Sequence, residues 1–273
     1  MAKNSLDYLI LGPAHPFRGG IADTQHELAL ALQKNGKRVE LVTFTKLYPK
    51  IFFPGKNQLI DEVAPEKLKI TQLLHVYNPT GWFKVIKYIS SKSPKTIVFR
   101  YYTPFLALSY SWIAKNLPKS IKKVAIIDNW IPHETSKFDR MLNIIFSKYI
   151  ESISCLSTNV AKQIEADFKG PVWSGFHPIN TNLYPILDQQ RARIKLNWEA
   201  GVSYVLFFGL IRRYKGLELL IRAFDEAPLK DQNIKLYVAG ECYEDKNKYT
   251  QIVKSLNLQE HVILDFKFKN IVD

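Results

Sequence analysis

The sequence predicts an α/β protein made of two doubly wound parallel-sheet domains, the second of them incomplete. Three observations carry this expectation. Apolar strand patterns alternate with helical ones along nearly the whole chain of 273 residues. Two glycine-bearing segments, Pro16-Phe17-Arg18-Gly19-Gly20-Ile21-Ala22 and Phe207-Phe208-Gly209-Leu210-Ile211-Arg212-Arg213-Tyr214-Lys215-Gly216, each follow a strand pattern and precede a helical one. The second domain contains three strand patterns, where a doubly wound domain usually has about five or six.

The elements follow in order. A strand over 7–11 leads to a helix over 21–34, whose Leu28, Ala29, Ala31 and Leu32 recur at helical spacing and which Asn35-Gly36 ends. A strand is expected over 38–44. Residues 45–67 hold Pro49, Pro54, Gly55 and Pro65 and read as irregular. A strand at 69–75, a helix at 82–90, a buried strand at 96–100, a helix at 105–116, a strand at 123–128, a helix at 140–149, a strand at 152–157 and a helix at 158–168 come next. A strand-like exit at 173–178 closes the first domain, residues 1–180. Residues 181–200 are expected as a linker with a short helix at 189–196. The partial second domain, 201–273, has strands at 204–208, 235–239 and 262–265 and helices at 217–226 and 245–256.

Composition narrows the function. Apolar residues make up 47% and aromatics 13%, enough for a sizeable core and too apolar for a disordered chain. Cys155 and Cys242 are the only cysteines, which argues against a disulfide framework and for a reducing cytoplasm. The N-terminal apolar run is too short for a signal peptide, and no stretch approaches the roughly 20 apolar residues of a spanning helix.

The net charge of +13 lies mainly in the first domain, where residues 1–180 hold 24 Lys or Arg against 13 Asp or Glu. No acidic residue lies between Glu66 and Asp128, an interval with eleven basic residues and interleaved aromatics such as Trp82, Phe83 and Trp112. Such a face suits an anionic lipid surface or a nucleic-acid backbone, or is a solvated lysine-rich surface over an ordinary core. Nucleic acid is the least favoured partner, and a peripheral site on the inner face of the membrane is the alternative to a plain cytoplasmic location.

Both glycine segments place bare backbone and a helix N-terminus at a strand end, which suits a phosphate. Together they point to two nucleotide-type domains facing a shared cleft. Here the chain resembles the GT-B glycosyltransferases, in particular the large retaining family 4 group. Gly19 and Gly20 resemble the family's glycine loop, which meets the donor diphosphate or sugar. Arg212 and Lys215 look like its basic pair on the donor phosphates. Other members carry Arg directly after the glycine, where Leu210 stands here, and this chain resembles the subgroup with Arg two places further on. Asp128-Asn129-Trp130-Ile131-Pro132-His133-Glu134 resembles a segment that more often begins with His, so the resemblance puts Asp128 and His133 at the catalytic position, where a carboxylate at 128 can accept a hydrogen bond or proton but not donate one at neutral pH without a raised pKa.

Arg100, Glu241 and Phe268 fall where the family contacts acceptor, sugar and base. For Arg100 a structural ion pair is the equal alternative. His177-Pro178 resembles the interdomain hinge. The resemblance covers essentially the whole chain, but the family continues further, with an acidic motif for the donor ribose and sugar, so a C-terminal truncation is expected.

What the resemblance implies is a retaining transferase. It would move a sugar from a nucleotide diphosphate sugar to the hydroxyl of a glycan or lipid-linked acceptor in polysaccharide or glycolipid synthesis. Neither a metal nor another cofactor is expected. The competing expectation is a degenerate relative that binds a nucleotide or anionic ligand without turnover. A dehydrogenase is disfavoured, since neither glycine loop reads G-x-G-x-x-G.

Overall fold

In the computed structural model of the protein, the described residues are 6–47, 59, 65–131, 138–178, 187–226, 229 and 232–267. The chain divides into two units, Met1–Pro178 and Ile179–Asp273.

The first unit runs β1 (Tyr8–Leu11), α1 (Gly20–Lys34), β2 (Val39–Lys46), β3 (Ile70–His75), α2 (Pro79–Lys92), β4 (Thr96–Tyr101), α3 (Ala107–Asn116), β5 (Lys122–Ile127), α4 (Asp139–Ser147), β6 (Ser152–Cys155), α5 (Thr158–Glu165) and β7 (Val172–Ser174). Its seven strands lie in the order β3-β2-β1-β4-β5-β6-β7, and every neighbouring pair is parallel.

A strand covered on both faces must be apolar on both, and β1 is. Leu9 and Leu11 join the layer formed with Val85 and Ile89 of α2, Tyr110 and Ile113 of α3, and Phe146 of α4. Ile10 joins the opposite layer with Ala29 of α1, Leu41 and Val98. The order of strands reverses between β1 and β4. In open parallel sheets the crevice outside the strand C-termini at such a switch point receives ligands.

The helix boundaries have local causes. Helix α2 begins at Asn78, whose Oδ1 accepts from the Thr80 amide at 3.1 Å, with Pro79 at the first helical position. The single helix expected over 105–116 opens instead as a 3-10 turn, Pro104–Leu106, in which the Leu106 amide bonds to the Thr103 carbonyl at 3.1 Å. The strand-like exit expected over 173–178 is ordered as a strand only over Val172–Ser174.

The second unit contains α6 (Gln189–Lys195), β8 (Ser203–Phe208), α7 (Leu217–Ala223), β9 (Ile234–Ala239), α8 (Lys246–Ser255) and β10 (Val262–Asp265). Its sheet has three parallel strands in the order β10-β9-β8. Leu236 and Val238 of β9 share one core with Leu217 and Ile221 of α7 and Tyr249, Ile252 and Val253 of α8. On β8, Val205, Leu206 and Phe208 are exposed.

The end of the expected linker packs on this unit. Trp198 stacks on Tyr204 with ring centroids 4.1 Å apart, and Arg193 Nη1 donates to the Val202 carbonyl at 2.9 Å. Helix α7 stops at Ala223, short of the expected 226, where the Phe224 amide turns back to the Ile221 carbonyl.

Candidate functional site

The first group of candidate residues surrounds the turn between β1 and α1. Gly12 follows β1 because nothing larger fits: a Cβ there would lie 2.6 Å from Arg100 Cβ and 2.6 Å from Gln25 Oε1. The turn is then tied down on two sides. The Ala14 amide donates to Thr43 Oγ1 of β2 at 3.0 Å, and the His15 amide donates to His26 Nε2 of α1 at 2.9 Å. His26 must be neutral to accept that bond, and burial, aided by the nearby His15, lowers its pKa below the usual imidazole value.

Gly19 and Gly20 occupy the mouth of this turn. Gly19 has φ 113° and ψ 162°, a conformation that essentially requires glycine. Gly20, the first residue of α1, has no positive φ, and a Cβ there would meet nothing within 4 Å. Neither backbone nor packing demands glycine at Gly20, and the space beside it is open. Of the first-turn amides of α1, those of Ala22 and Asp23 bond to the Gly19 carbonyl at 2.9 and 3.1 Å, while those of Gly20 and Ile21 have no helical carbonyl before them and suit an anion. Asp23, also in the first turn, adds a negative charge that opposes this.

Arg100 and Asp128 meet at the C-terminal ends of β4 and β5. Parallel pairing sets Tyr101 opposite Ile127, and the Asp128 amide continues the ladder to the Tyr101 carbonyl at 3.0 Å. The guanidinium grips the carboxylate bidentately, Nε to Oδ2 at 2.7 Å and Nη2 to Oδ1 at 2.5 Å. Nη2 also donates to Thr24 Oγ1 of α1 at 3.2 Å. Arg100 is buried, and Asp128 nearly so. For Arg100 the ion-pair alternative is the one observed. Both Asp128 oxygens accept hydrogen bonds from Arg100, so this carboxylate is engaged and not idle. Beside them Gln25 is fully buried, and neither its Oε1 nor its Nε2 has a hydrogen-bond partner.

The segment after β5 starts from a fixed point. Trp130 is buried, its Nε1 donates to Asp167 Oδ2 at 2.9 Å, and its carbonyl accepts from Asn143 Nδ2 at 2.5 Å. Tyr101 Oη donates to Asn143 Oδ1 at 2.6 Å and its ring stacks on Phe146. His133 lies outside the described residues, as does Glu134. His177 is exposed near the end of the first unit.

In the second unit the glycine segment is built differently from its counterpart. Gly209, at φ 112°, continues the ladder past β8, its amide bonding to the Ala239 carbonyl at 3.0 Å. Ile211 is buried and bridges Cys242, its amide donating to the Glu241 carbonyl at 3.0 Å. A 3-10 turn, Arg213–Lys215, then stands between the glycine and the seven-residue α7. Helix α7 starts at Leu217, as expected, but only after this turn.

Arg212 is half-buried, with its guanidinium carbon 5.2 Å from the Tyr243 ring centroid. Lys215 is exposed, its Nζ 5.4 Å from the Tyr214 ring. Arg213 is exposed. Glu241 is half-buried, with Oε2 3.5 Å from Tyr243 Oη. Tyr243, which links Arg212 to Glu241, was invisible as a site residue because no spacing rule marks it. Phe268 lies outside the described residues. Among the described residues no three His, Cys, Asp or Glu side chains cluster as a metal site, and no helix is long and apolar enough to cross a membrane.

A reversed-order parallel sheet followed by a second, smaller parallel unit, each with a glycine turn at a strand end, defines an α/β protein of the two-domain Rossmann-like GT-B class. Residues 188–270, most of the second unit, match the family model described as glycosyl transferases group 1. Nearly all of the chain aligns with solved structures of that class. Sucrose-phosphate synthase from Thermosynechococcus elongatus matches with a TM-score of 0.69 at 15% identity, over 96% of this chain and 71% of that one. HepE from Anabaena, solved with UDP and glucose, matches with a TM-score of 0.67 at 15% identity, over 97% and 70%. The catalytic domain of starch synthase IV from Arabidopsis thaliana, bound to ADP and acarbose, matches with a TM-score of 0.62 at 13% identity, over 98% and 76%. At these identities the likeness is one of fold. No curated protein sequence matches the chain significantly.

Proposed function

We propose that this protein is a glycosyltransferase that moves a sugar from a nucleoside diphosphate sugar to an acceptor hydroxyl. The observation that carries the reading is Gly20, a glycine that neither backbone nor packing requires, beside open space at the start of α1. The family match over 188–270 and the nucleotides bound by HepE and starch synthase IV support it.

In the proposed reaction the bond between the sugar's anomeric carbon and the diphosphate oxygen breaks as the acceptor oxygen bonds to that carbon from the same face. Retention follows, and the acceptor proton passes to the departing diphosphate. Arg212 and Lys215 stabilise the charge that develops on the leaving group, without a metal cofactor. Gly19 and Gly20 let the donor approach the first-turn amides of α1. Asp128, held by Arg100, takes the acceptor-side role by orientation, since both its oxygens are already engaged. His133 and Glu241 are proposed on the acceptor and sugar, and Phe268 on the base. The acceptor belongs to a glycan or a lipid-linked glycan of a polysaccharide or glycolipid pathway.

The test is a panel of nucleoside diphosphate sugars with release of nucleoside diphosphate as the readout. Hydrolysis or transfer that is lost in Lys215→Ala and Gly20→Val supports the reading, and turnover indifferent to both overturns it. The engagement of Asp128 by Arg100 also favours a second reading, a relative that binds the nucleotide without turnover. Calorimetric binding of a nucleoside diphosphate, with no release from any donor in the panel, would select that one.

A further inference from the structure

The exposed surface of α3 is not what a solvated helix presents. Six of the ten residues of the helix are buried, and those left facing outward are Leu108 and Trp112, one turn apart, followed by Lys115 and Asn116. Leu108 is 58% exposed and Trp112 39%. Neighbouring α2 adds Phe83, 58% exposed, whose ring centroid is 6.1 Å from that of Trp112 in an edge-on contact. Trp82, partly buried, has its ring centroid 6.3 Å from that of Trp112. Three large apolar side chains thus form one continuous outward patch across two helices.

The charges that α2 and α3 place beside the patch are of a single sign. Lys84 follows Phe83 directly and Lys87 stands one turn beyond it, both exposed, while Lys115 stands one turn beyond Trp112. Neither α2 nor α3 carries an acidic residue. Glu40 serves a different lysine of α2, Lys92, at 3.2 Å.

We infer that this α2–α3 face is a docking surface for a lipid bilayer bearing anionic phospholipids. The argument is complementarity of two kinds at once. Long lysine side chains reach a phosphate plane with their ammonium groups while their methylenes lie on apolar surface. Phe83, Leu108 and Trp112 enter the boundary between headgroups and acyl chains, the depth at which Trp is enriched. A polyanion without an apolar phase would satisfy the lysines and leave the three apolar side chains in water. A neutral apolar partner would do the reverse. The inference is independent of the reaction proposed above, because it rests on side chains remote from the glycine turns in sequence and on their exposure alone.

The experiment is co-sedimentation of the full chain with phosphatidylcholine vesicles, with and without phosphatidylglycerol, at low and high salt. Binding is expected to the anionic vesicles, to weaken with salt and to be slight on neutral ones. Each lysine at an anionic leaflet is worth roughly fivefold in partitioning, so the triple variant Lys84→Glu, Lys87→Glu, Lys115→Glu should lose about a hundredfold or more. Phe83→Ser with Trp112→Ser should bind less tightly than the parent while keeping the salt dependence. All five side chains are partly or fully in solvent, and circular dichroism will confirm that the variants fold. Lys254→Glu, an exposed position on α8, is the control and should bind as the parent does.

Equal partitioning to neutral and anionic vesicles overturns the inference. So does a triple variant that still binds, or a Lys254→Glu control that loses as much. Self-association, or retention of an oligonucleotide, that the triple variant abolishes while no vesicle binding is found would assign the face to a second copy or to nucleic acid and overturn it equally.

Discussion

Arg100 holds Asp128 by two parallel hydrogen bonds, at 2.7 and 2.5 Å, and the same guanidinium reaches Thr24 on α1. One buried cation therefore joins the ends of β4 and β5 to the helix that opens at Gly20. Removing one member of such a pair leaves the other charged and poorly solvated. Arg100→Met is expected to destabilise the first unit by about 3–5 kcal/mol, and Arg100→Met with Asp128→Leu to recover much of the loss. Urea unfolding of the three proteins measures this. A loss under about 1 kcal/mol, the scale of an exposed pair, would mean the pair is solvated in solution.

The two adjacent glycines of the first turn should fail in opposite ways. Gly19→Ala places a Cβ in a backbone region that only glycine occupies readily, at a cost of about 1–3 kcal/mol. Gly20→Ala meets no atom and should leave stability unchanged or raised by up to about 1 kcal/mol, because glycine is a poor helix residue. A nucleoside diphosphate is expected to bind Gly20→Ala more weakly than the parent. Thermal melts and calorimetry on both variants separate these effects. Unchanged affinity in Gly20→Ala would remove the ligand from this turn.

Lys215→Ala and Arg212→Ala should each weaken nucleoside diphosphate binding by about 1–3 kcal/mol, the range for a lost charged hydrogen bond. Arg213→Ala, at an exposed neighbouring position, should have little effect. If all three variants lose affinity equally, the contribution is a diffuse field and not a pair of directed contacts.

Acid should loosen the turn after β1. Burial lowers the pKa of His26 below the 6.5 of an unfolded imidazole, so between the two values the unfolded chain binds more protons. Stability is therefore full above pH 6.5 and falls as pH drops towards the folded value, where His26⁺ can no longer accept from the His15 amide. The denaturation midpoint of the parent should drop between pH 7.5 and 5.5, and the drop should shrink in His26→Gln. An equal drop in both would place the effect elsewhere.

The alternation of apolar strands was open to reading because Leu9–Leu11 of β1 and Ile97–Phe99 of β4 are buried on both faces and so form continuous apolar runs. Gly19 was legible for a similar local reason, since a glycine pair after a strand has few uses. The Arg100–Asp128 pair was not legible. It spans 28 residues and exists only because parallel register brings Tyr101 opposite Ile127. The anchors of the turn, Thr43 to Ala14 and His26 to His15, depend likewise on which strand lies beside β1 and how α1 is rotated over it. In the second unit α7 starts at Leu217 as expected, but the path into it was not legible: Gly209 and Ile211 continue the sheet ladder, and a 3-10 turn, Arg213–Lys215, precedes the helix.

Gly240 supplies a caution for anyone comparing this chain with others. A Cβ at Gly240 would sit 1.8 Å from the Gly209 carbonyl oxygen, so the strand ends of the second unit can lie together only while position 240 lacks a side chain. A glycine kept at 240 across related chains would record that contact between two backbones and say nothing of a ligand. One kept at 20, where a methyl group would touch nothing, would be a record of chemistry.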